Sequence, residues 1–338
     1  MKLMHDRSLF VLFFVSFFIP SICAQEADSV SYPSMKISGT LKNKFEYASE
    51  TGMSRFSVRN SRIGASGNIN SFSGYKAQVE LSNEGRFEVL DLSGSLKPVD
   101  GLSLTLGQTS VPIFNQYIVS PSEMMFANRA FIGKYFLSTR DLGFRADYEF
   151  KIGSVPSSFE LGIYNGNTIN DPVWRDRLSY GARLAVGSMK GFRSTIKYYD
   201  YQNEDIHYLF YGADLRYEAR NWKLETEIMK RDSRVEAESD MLSYYFQGAY
   251  FIPLTKSRFF DRLVPAARWD AIDKNPDNKG FDVNRLTVGL GFAFEQKNIS
   301  SILRLDYEWY FIENELDILN KYPEMDSDKF TVELVFTF

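Results

Sequence analysis

The chain has 338 residues, of which 24% are charged and 16% aromatic, with a formal net charge of −4. That balance offers no basic footprint for nucleic acid, and a lone cysteine, Cys23, excludes a disulfide framework or a cysteine-based zinc site. The 29 phenylalanines and 20 tyrosines favour strands.

The first element in chain order is separable from the rest. Lys2 and Arg7 precede the apolar run LFVLFFVSFFI (residues 9–19), which leads into PSICA. A basic start, a short apolar core and a small final residue describe a secretory signal peptide, residues 1–24, cleaved after Ala24. The rival is a lipoprotein signal acylated on Cys23, but Ile22 is not the small residue such a site takes before its cysteine. Removing Lys2, Arg7 and Asp6 from 39 basic and 43 acidic residues leaves 37 against 42 in the mature chain, residues 25–338. No later stretch holds 18 consecutive apolar residues, so no transmembrane helix is expected.

From residue 36 onward one theme repeats: eight to twelve alternating residues, then a polar turn. Ile37, Gly39, Leu41, Phe45 and Tyr47 share one face, against Lys36, Ser38, Thr40, Lys42, Lys44 and Glu46. The run FSVRNSRIGASGNI changes phase between Val58 and Ile63, which predicts a bulge or bend. Tyr75 to Leu81 and Leu102 to Leu106 alternate cleanly, as do LGFRADYEF (142–150), FELGIY (159–164), LSYGARLAV (178–186) and FRSTIKY (192–198). LFYGADLRY (209–217), WKLETEI (222–228), LSYYFQGAY (242–250), NRLTVGLGFAF (284–294), LRLDYEW (303–309) and the tail KFTVELVFTF (329–338) continue the pattern. With weaker segments at 56–69, 88–96 and 262–270 the total is about sixteen strands. Pro265 falls inside the last of these and implies either a bulge or misplaced boundaries.

The polar faces carry full charges, such as Arg145, Asp147 and Glu149 or Arg304, Asp306 and Glu308. A soluble sandwich turns that face to bulk water; a membrane barrel turns it to a wet lumen and its apolar face to lipid. Connection lengths favour the barrel. Residues 70–74, 97–101, 187–191 and 218–221 are tight, whereas 165–177, 200–207, 231–240, 271–282 and 311–328 are longer and more polar. Tyr47, Tyr75, Phe150, Phe159, Trp222, Tyr250 and Trp309 sit near strand ends, as interfacial girdles do. The expected fold is all-β: a transmembrane antiparallel up-and-down β-barrel of about 16 strands.

One connection is out of proportion. Residues 110–141 alternate little yet hold Ile113, Phe114, Tyr117, Ile118, Met124, Met125, Phe126, Phe131 and Phe136, which need burial. By position this is the third long-side loop, and the expectation is that it folds into the lumen as a constriction. A loop that caps the barrel or packs on a neighbouring subunit is the alternative.

Phe56, Val58, Arg59, Arg62, Ile63 and Gly64, then Gly107, Gln108 and Pro112, then Arg140, Asp141, Leu142 and Gly143 occur in order around the long connection. In that order the chain resembles the phosphate-selective porin O and P family over about residues 36–165. The resemblance implies a sixteen-stranded homotrimeric porin passing small anions, with the third loop in the pore. It also implies a bacterial outer membrane of the Gram-negative type, reached through the cleaved signal peptide.

Basic rings favour anions and acidic rings cations, and arginine's planar fork suits phosphate. The candidate anion path is Arg59, Arg62, Arg129, Lys134, Arg140, Arg145, Arg183 and Arg304; Arg129, Lys134 and Arg140 are read as loop residues. Against them stand inward acids including Glu46, Glu80, Asp91, Glu160, Asp214, Glu225, Asp270, Asp306 and Glu308, which would pair with the arginines and hydrate the wall. A general porin for hydrophilic solutes, or an adhesin or binding barrel with little conductance, stays open beside the anion channel. No G-x-S-x-G step and no metal quartet points to an enzyme, a cofactor or a metal site. His207, the one mature histidine, is placed in an outer loop beside Glu204 and Asp205. The tail, with Phe338 last, is expected to pair with the strand around Ile37 to Tyr47, and Phe338 to serve as a signal to the barrel assembly machinery.

Overall fold

Antiparallel strands run almost the whole length of the chain in the computed structural model. It describes residues 31–83, 86–111, 121–137, 140–166, 169–236, 238–274, 280–296, 299–314 and 327–338. The expected signal peptide and the 112–120 part of the long connection lie outside the described residues. The ring opens with β1 (Lys36–Ala48), followed by β2 (Ser54–Val58), β3 (Arg62–Asn68), β4 (Ser73–Asn83), β5 (Arg86–Val99) and β6 (Leu102–Ser110). After the long connection come β7 (Arg140–Ile152), β8 (Val155–Tyr164), β9 (Ser179–Gly187), β10 (Gly191–Gln202), β11 (His207–Ala219) and β12 (Trp222–Ser233). The last third supplies β13 (Met241–Tyr250), β14 (Ile252–Pro253), β15 (Arg262–Asp273), β16 (Val283–Gln296), β17 (Ile299–Ile312) and β18 (Lys329–Thr337).

These 18 segments make sixteen barrel strands. β2 and β3 both pair with β1 and are two pieces of one strand. β14 likewise continues β13 along β15. The sheet closes where β18 returns to β1, with Tyr47 opposite Phe330 and Leu41 opposite Phe336. Beyond the last strand residue the ladder continues, Gly39 N–H donating to Phe338 O at 2.9 Å and Phe338 N–H to Gly39 O at 3.0 Å. Among the described residues closure gives every barrel strand a neighbour on both sides, which is the condition for crossing lipid with strands.

The faces are inverted relative to a soluble protein. Lys42, Lys44, Glu46, Asp214, Arg216, Glu225, Glu227, Arg268, Asp270 and Arg304 are buried inside the ring. Leu41, Leu92, Leu106, Ile196, Ile228 and Phe246 are exposed on its outside. In the tail, Thr331, Glu333 and Val335 point inward and are fully buried. Phe330, Val332, Leu334, Phe336 and Phe338 therefore take the outer face, Phe338 being exposed.

The two anomalies expected from sequence resolve differently. The phase slip is real: Phe45 lies opposite Phe56 and Gly39 opposite Ile63, so outward positions change from even to odd between β2 and β3. The break is taken up at Asn60, with φ of 56°, a conformation asparagine tolerates better than most residues. Pro265 requires neither a bulge nor shifted boundaries. It stands opposite Leu290 in an unbroken register with β16. On its other side the ladder lapses between the pairs Ala249–Ala266 and Ile252–Leu263, so the missing donor falls beside a gap.

Connection lengths follow the expected asymmetry, but several loops are shorter than sequence suggested because the strands extend past the alternating core. Only residues 203–206 link β10 to β11, and 313–328 link β17 to β18. At the opposite end, two-residue turns join β5 to β6 and β11 to β12, while 254–261 is a longer exception. Gly101, at φ 80°, turns the first of these where a Cβ would meet the Glu149 carbonyl.

Candidate functional site

The inner wall and the described part of the long connection, residues 121–137, are bonded to each other. Lys42 Nζ donates to Ala127 O at 2.8 Å, Arg268 Nη1 to Asn128 O at 2.9 Å and Arg285 Nη2 to Arg129 O at 2.9 Å. Arg304 Nη2 donates to Met124 O at 2.6 Å and Lys223 Nζ to Glu123 O at 2.7 Å. The return bonds come from backbone amides: Ala127 N–H to Asp306 Oδ2 at 2.6 Å and Phe131 N–H to Asp270 Oδ2 at 3.0 Å. A segment with little secondary structure has many unsatisfied backbone groups, and inward charges on β1, β12 and β15 to β17 satisfy them.

Those charges are balanced among themselves. Arg285 forks onto Asp270 at 2.6 and 3.0 Å and reaches Glu308 at 2.8 Å. Glu333 accepts from Arg304 at 2.6 Å and from Lys42 at 2.8 Å. The guanidinium of Arg285 also lies 4.4 Å from the Phe131 ring centroid, and that of Arg268 lies 4.8 Å from Phe126. A charge can be buried here because each has a partner and most have a ring or carbonyl besides.

A second contact holds the connection's C-terminal part. The single-turn helix α1 (Ile132–Tyr135) and Phe136 pack against Tyr199, Phe210, Met229, Tyr245, Ile272 and Val283. On β10 to β13 the inward face thus changes from charged to aromatic toward the long-loop end. Sequence alternation alone assigned apolar side chains to lipid and missed this patch. Its signal is the aromatic doublet: Tyr198–Tyr199 and Tyr244–Tyr245 place a ring on both faces of one strand, with Tyr199 and Tyr245 buried inside.

The remaining wall carries most of the sequence candidates. Arg62 bridges to Glu80 at 3.2 Å, and Arg140 and Lys76 meet Asp91 at 2.9 and 2.7 Å. Arg145 bonds Asp147 at 2.9 Å, and Arg183 pairs with Glu160. Arg140 is not a loop residue: it opens β7 opposite Ser110, because its partner Asp91 on β5 holds it in the ladder. Arg62 lies in the electrostatic field of both Arg140 and Arg129. Three candidates therefore converge, Arg62 and Arg140 from the wall and Arg129 from the connection.

The other candidates are dispersed. Arg304 is buried beneath the connection it anchors. Arg59 is exposed at the break between β2 and β3. Lys134 is exposed on α1, with Nζ 4.7 Å from the Tyr135 ring centroid. His207 begins β11 rather than lying in a loop, and its Nε2 is 2.9 Å from Asp200 Oδ1. Of the connection's apolar residues, Met125, Phe126, Phe131 and Phe136 are buried as expected and Met124 is only half-buried; Ile113, Phe114, Tyr117 and Ile118 lie outside the described residues.

No protein-family model matches the chain, and no curated protein is similar to it at a significant level. Solved structures do match in fold. OmpF of Salmonella typhi in complex with daunomycin aligns over 90% of this chain and 97% of its own, with a TM-score of 0.62 and 16% identity. The in-vitro folded OmpT of Vibrio cholerae in its trimer form covers 90% and 99%, at TM-score 0.59 and 11% identity. The outer membrane channel DcaP of Acinetobacter baumannii covers 90% and 97%, at TM-score 0.56 and 10% identity. The chain thus has the fold of outer-membrane porins: a closed antiparallel barrel of sixteen strands.

Proposed function

We propose that this protein is an outer-membrane channel through which small hydrophilic solutes diffuse passively. The observation that carries the reading is the inverted ring: a closed barrel, apolar outside and charged inside, with residues 121–137 bonded to its inner wall. Such a segment narrows a lumen from one side and leaves solutes the opposite wall, from β3 to β8. Residues 1–24 act as the export signal, Phe338 as the mark for the assembly machinery, and the apolar belt seats in outer-membrane lipid. A homotrimer is supported by the trimer form of the Vibrio cholerae OmpT neighbour.

Within this reading the channel prefers anions, phosphate among them, because Arg62, Arg129 and Arg140 converge where the connection faces the wall. Arg145 and Arg183 extend the path along β7 and β9. A general porin is the second reading, favoured by the ion pairs of Arg62, Arg140, Arg145 and Arg183 with Glu80, Asp91, Asp147 and Glu160.

The test is reconstitution into a planar bilayer under a salt gradient. The anion reading expects a reversal potential of anion sign and a current reduced by millimolar phosphate. A cation-sign potential would leave the general channel; equal block by sulfate would remove phosphate preference. No current at all would replace the channel with a binding or adhesive barrel.

A further inference from the structure

At the short-turn end the connection between β14 and β15, residues 254–261, stands out from its short neighbours. Its backbone is tied down. Ser257 Oγ accepts the amides of Phe259 and Phe260 at 3.3 and 3.0 Å. The Leu254 amide donates to Asp261 O at 2.8 Å and the Asp261 amide to Ala293 O at 2.9 Å.

These bonds fold the turn back along the outside of the barrel. The Phe260 ring lies 5.2 Å from that of Phe292 and 6.1 Å from that of Phe294, which in turn lies 6.2 Å from Phe336 on the outer face. The turn thus continues the apolar belt instead of closing the lumen. Next along it, Phe259 is 74% exposed, with the Arg258 guanidinium 5.7 Å from its ring centroid. In water that ring would be an unmet apolar patch; at the edge of a bilayer it takes the place aromatic side chains occupy.

The charges narrow the partner to one kind of headgroup. Lys256 and Arg258 are exposed and make no hydrogen bond or ion pair among the described residues. The neighbouring acids are engaged: Asp261 Oδ2 accepts the Glu295 amide at 2.6 Å, and the Glu295 carboxylate pairs with Arg262. Two uncompensated cations therefore stand at the rim of the apolar belt, where a lipid phosphodiester would meet both. An ammonium on the same headgroup would face those cations and find the nearest carboxylates already bonded, so an anionic headgroup fits better than a zwitterionic one.

We propose that residues 254–261 dock an anionic phospholipid of the periplasm-side leaflet, with Lys256 and Arg258 on its phosphate and Phe259 among its acyl chains. The site rests on the barrel being seated in lipid with its short turns toward the periplasm; it does not depend on conductance or on anion preference.

The full-length protein in non-ionic detergent is titrated with phosphatidylglycerol or with phosphatidylcholine, and lipid adducts on the intact barrel are followed by native mass spectrometry. Phosphatidylglycerol should form its first adduct at least about tenfold tighter than phosphatidylcholine. Lys256→Gln and Arg258→Gln should each cost about fivefold of that preference and together abolish it. Phe259→Ser should weaken both lipids alike. Lys190→Gln with Arg220→Gln, on other turns of the same end, should leave the preference intact. Heat-modified gel mobility shows that each variant still forms the barrel. Equal affinity for the two lipids, or a preference unchanged in the doubly substituted barrel, would overturn the headgroup site while leaving the barrel in lipid. Displacement of the lipid by millimolar inorganic phosphate would assign the cations to the free ion and overturn it too. No adduct of either lipid would overturn the site and count against the lipid-seated barrel with it.

Discussion

The Arg285 guanidinium touches two carboxylates and a loop carbonyl while almost wholly buried. Replacing it with alanine leaves Asp270 and Glu308 short of their nearest cation, and Arg268, at 3.5 and 3.6 Å from them, cannot supply both the fork on Asp270 and the bond to Glu308. Loss of one partner of a buried pair typically costs about 3–5 kcal/mol. Arg285→Ala should therefore lower the guanidinium midpoint of unfolding clearly. Arg285→Lys should lower it less, since lysine restores the charge without the fork. Equal midpoints for wild type and Arg285→Ala would mean that this network contributes nothing to stability.

Two elements carry their own expectations. The connection hangs on Asp306, which accepts the Ala127 amide at 2.6 Å. Asp306→Asn keeps an acceptor of the same shape, whereas Asp306→Ala leaves a buried amide unmet at about 1–3 kcal/mol. Single-channel records should show higher or noisier conductance for Asp306→Ala and near-native behaviour for Asp306→Asn. Identical traces for all three proteins would free the connection from this bond.

The closing seam is the other element. Phe338 lays its ring over Gly39, where a Cβ would collide with it. Gly39→Val should push the ring aside and reduce the yield of heat-modifiable barrel, as should deletion of Phe338. The deletion also removes the proposed assembly signal, so its loss should be larger. The channel properties of molecules that do assemble should be unchanged. Normal insertion of the truncated chain would count against both the seam and the signal.

For the whole molecule, the channel reading makes lipid the solvent of the outer face. Ile196, near the middle of β10, is 59% exposed on the outer face between inward Thr195 and Lys197. In a soluble protein an exposed Ile→Arg change would be close to neutral. In a bilayer, Ile196→Arg near the midplane should cost about 2–4 kcal/mol, measured by reversible unfolding from liposomes. A change within error would contradict the membrane-spanning reading. At the same scale, replacing Arg62, Arg129 and Arg140 together by glutamine should move the reversal potential toward cations. An unmoved potential would take these three out of the selectivity path.

The rhythm of the chain by itself determined the sixteen strands, the phase slip before Ile63 and the pairing of the tail with the first strand. The first two are local consequences of period-two alternation, in which one misplaced residue turns every following side chain to the other face, and the third follows from closing sixteen such strands into a ring. Alternation also told which charges point inward. It could not tell what each would meet there, because partners lie on other strands or in residues 121–137, far away in sequence. Arg304 and Arg62 read alike along the chain. Closure of the ring put Arg304 beneath the connection, against Glu333 and Met124 O, and left Arg62 near Arg140 and Arg129. The inward aromatic patch was hidden for the same reason, since only α1 packing on Tyr199 and Phe210 makes an apolar inner face favourable. Periodicity is written in neighbours along the chain, whereas the fate of a buried charge is decided by neighbours across the barrel.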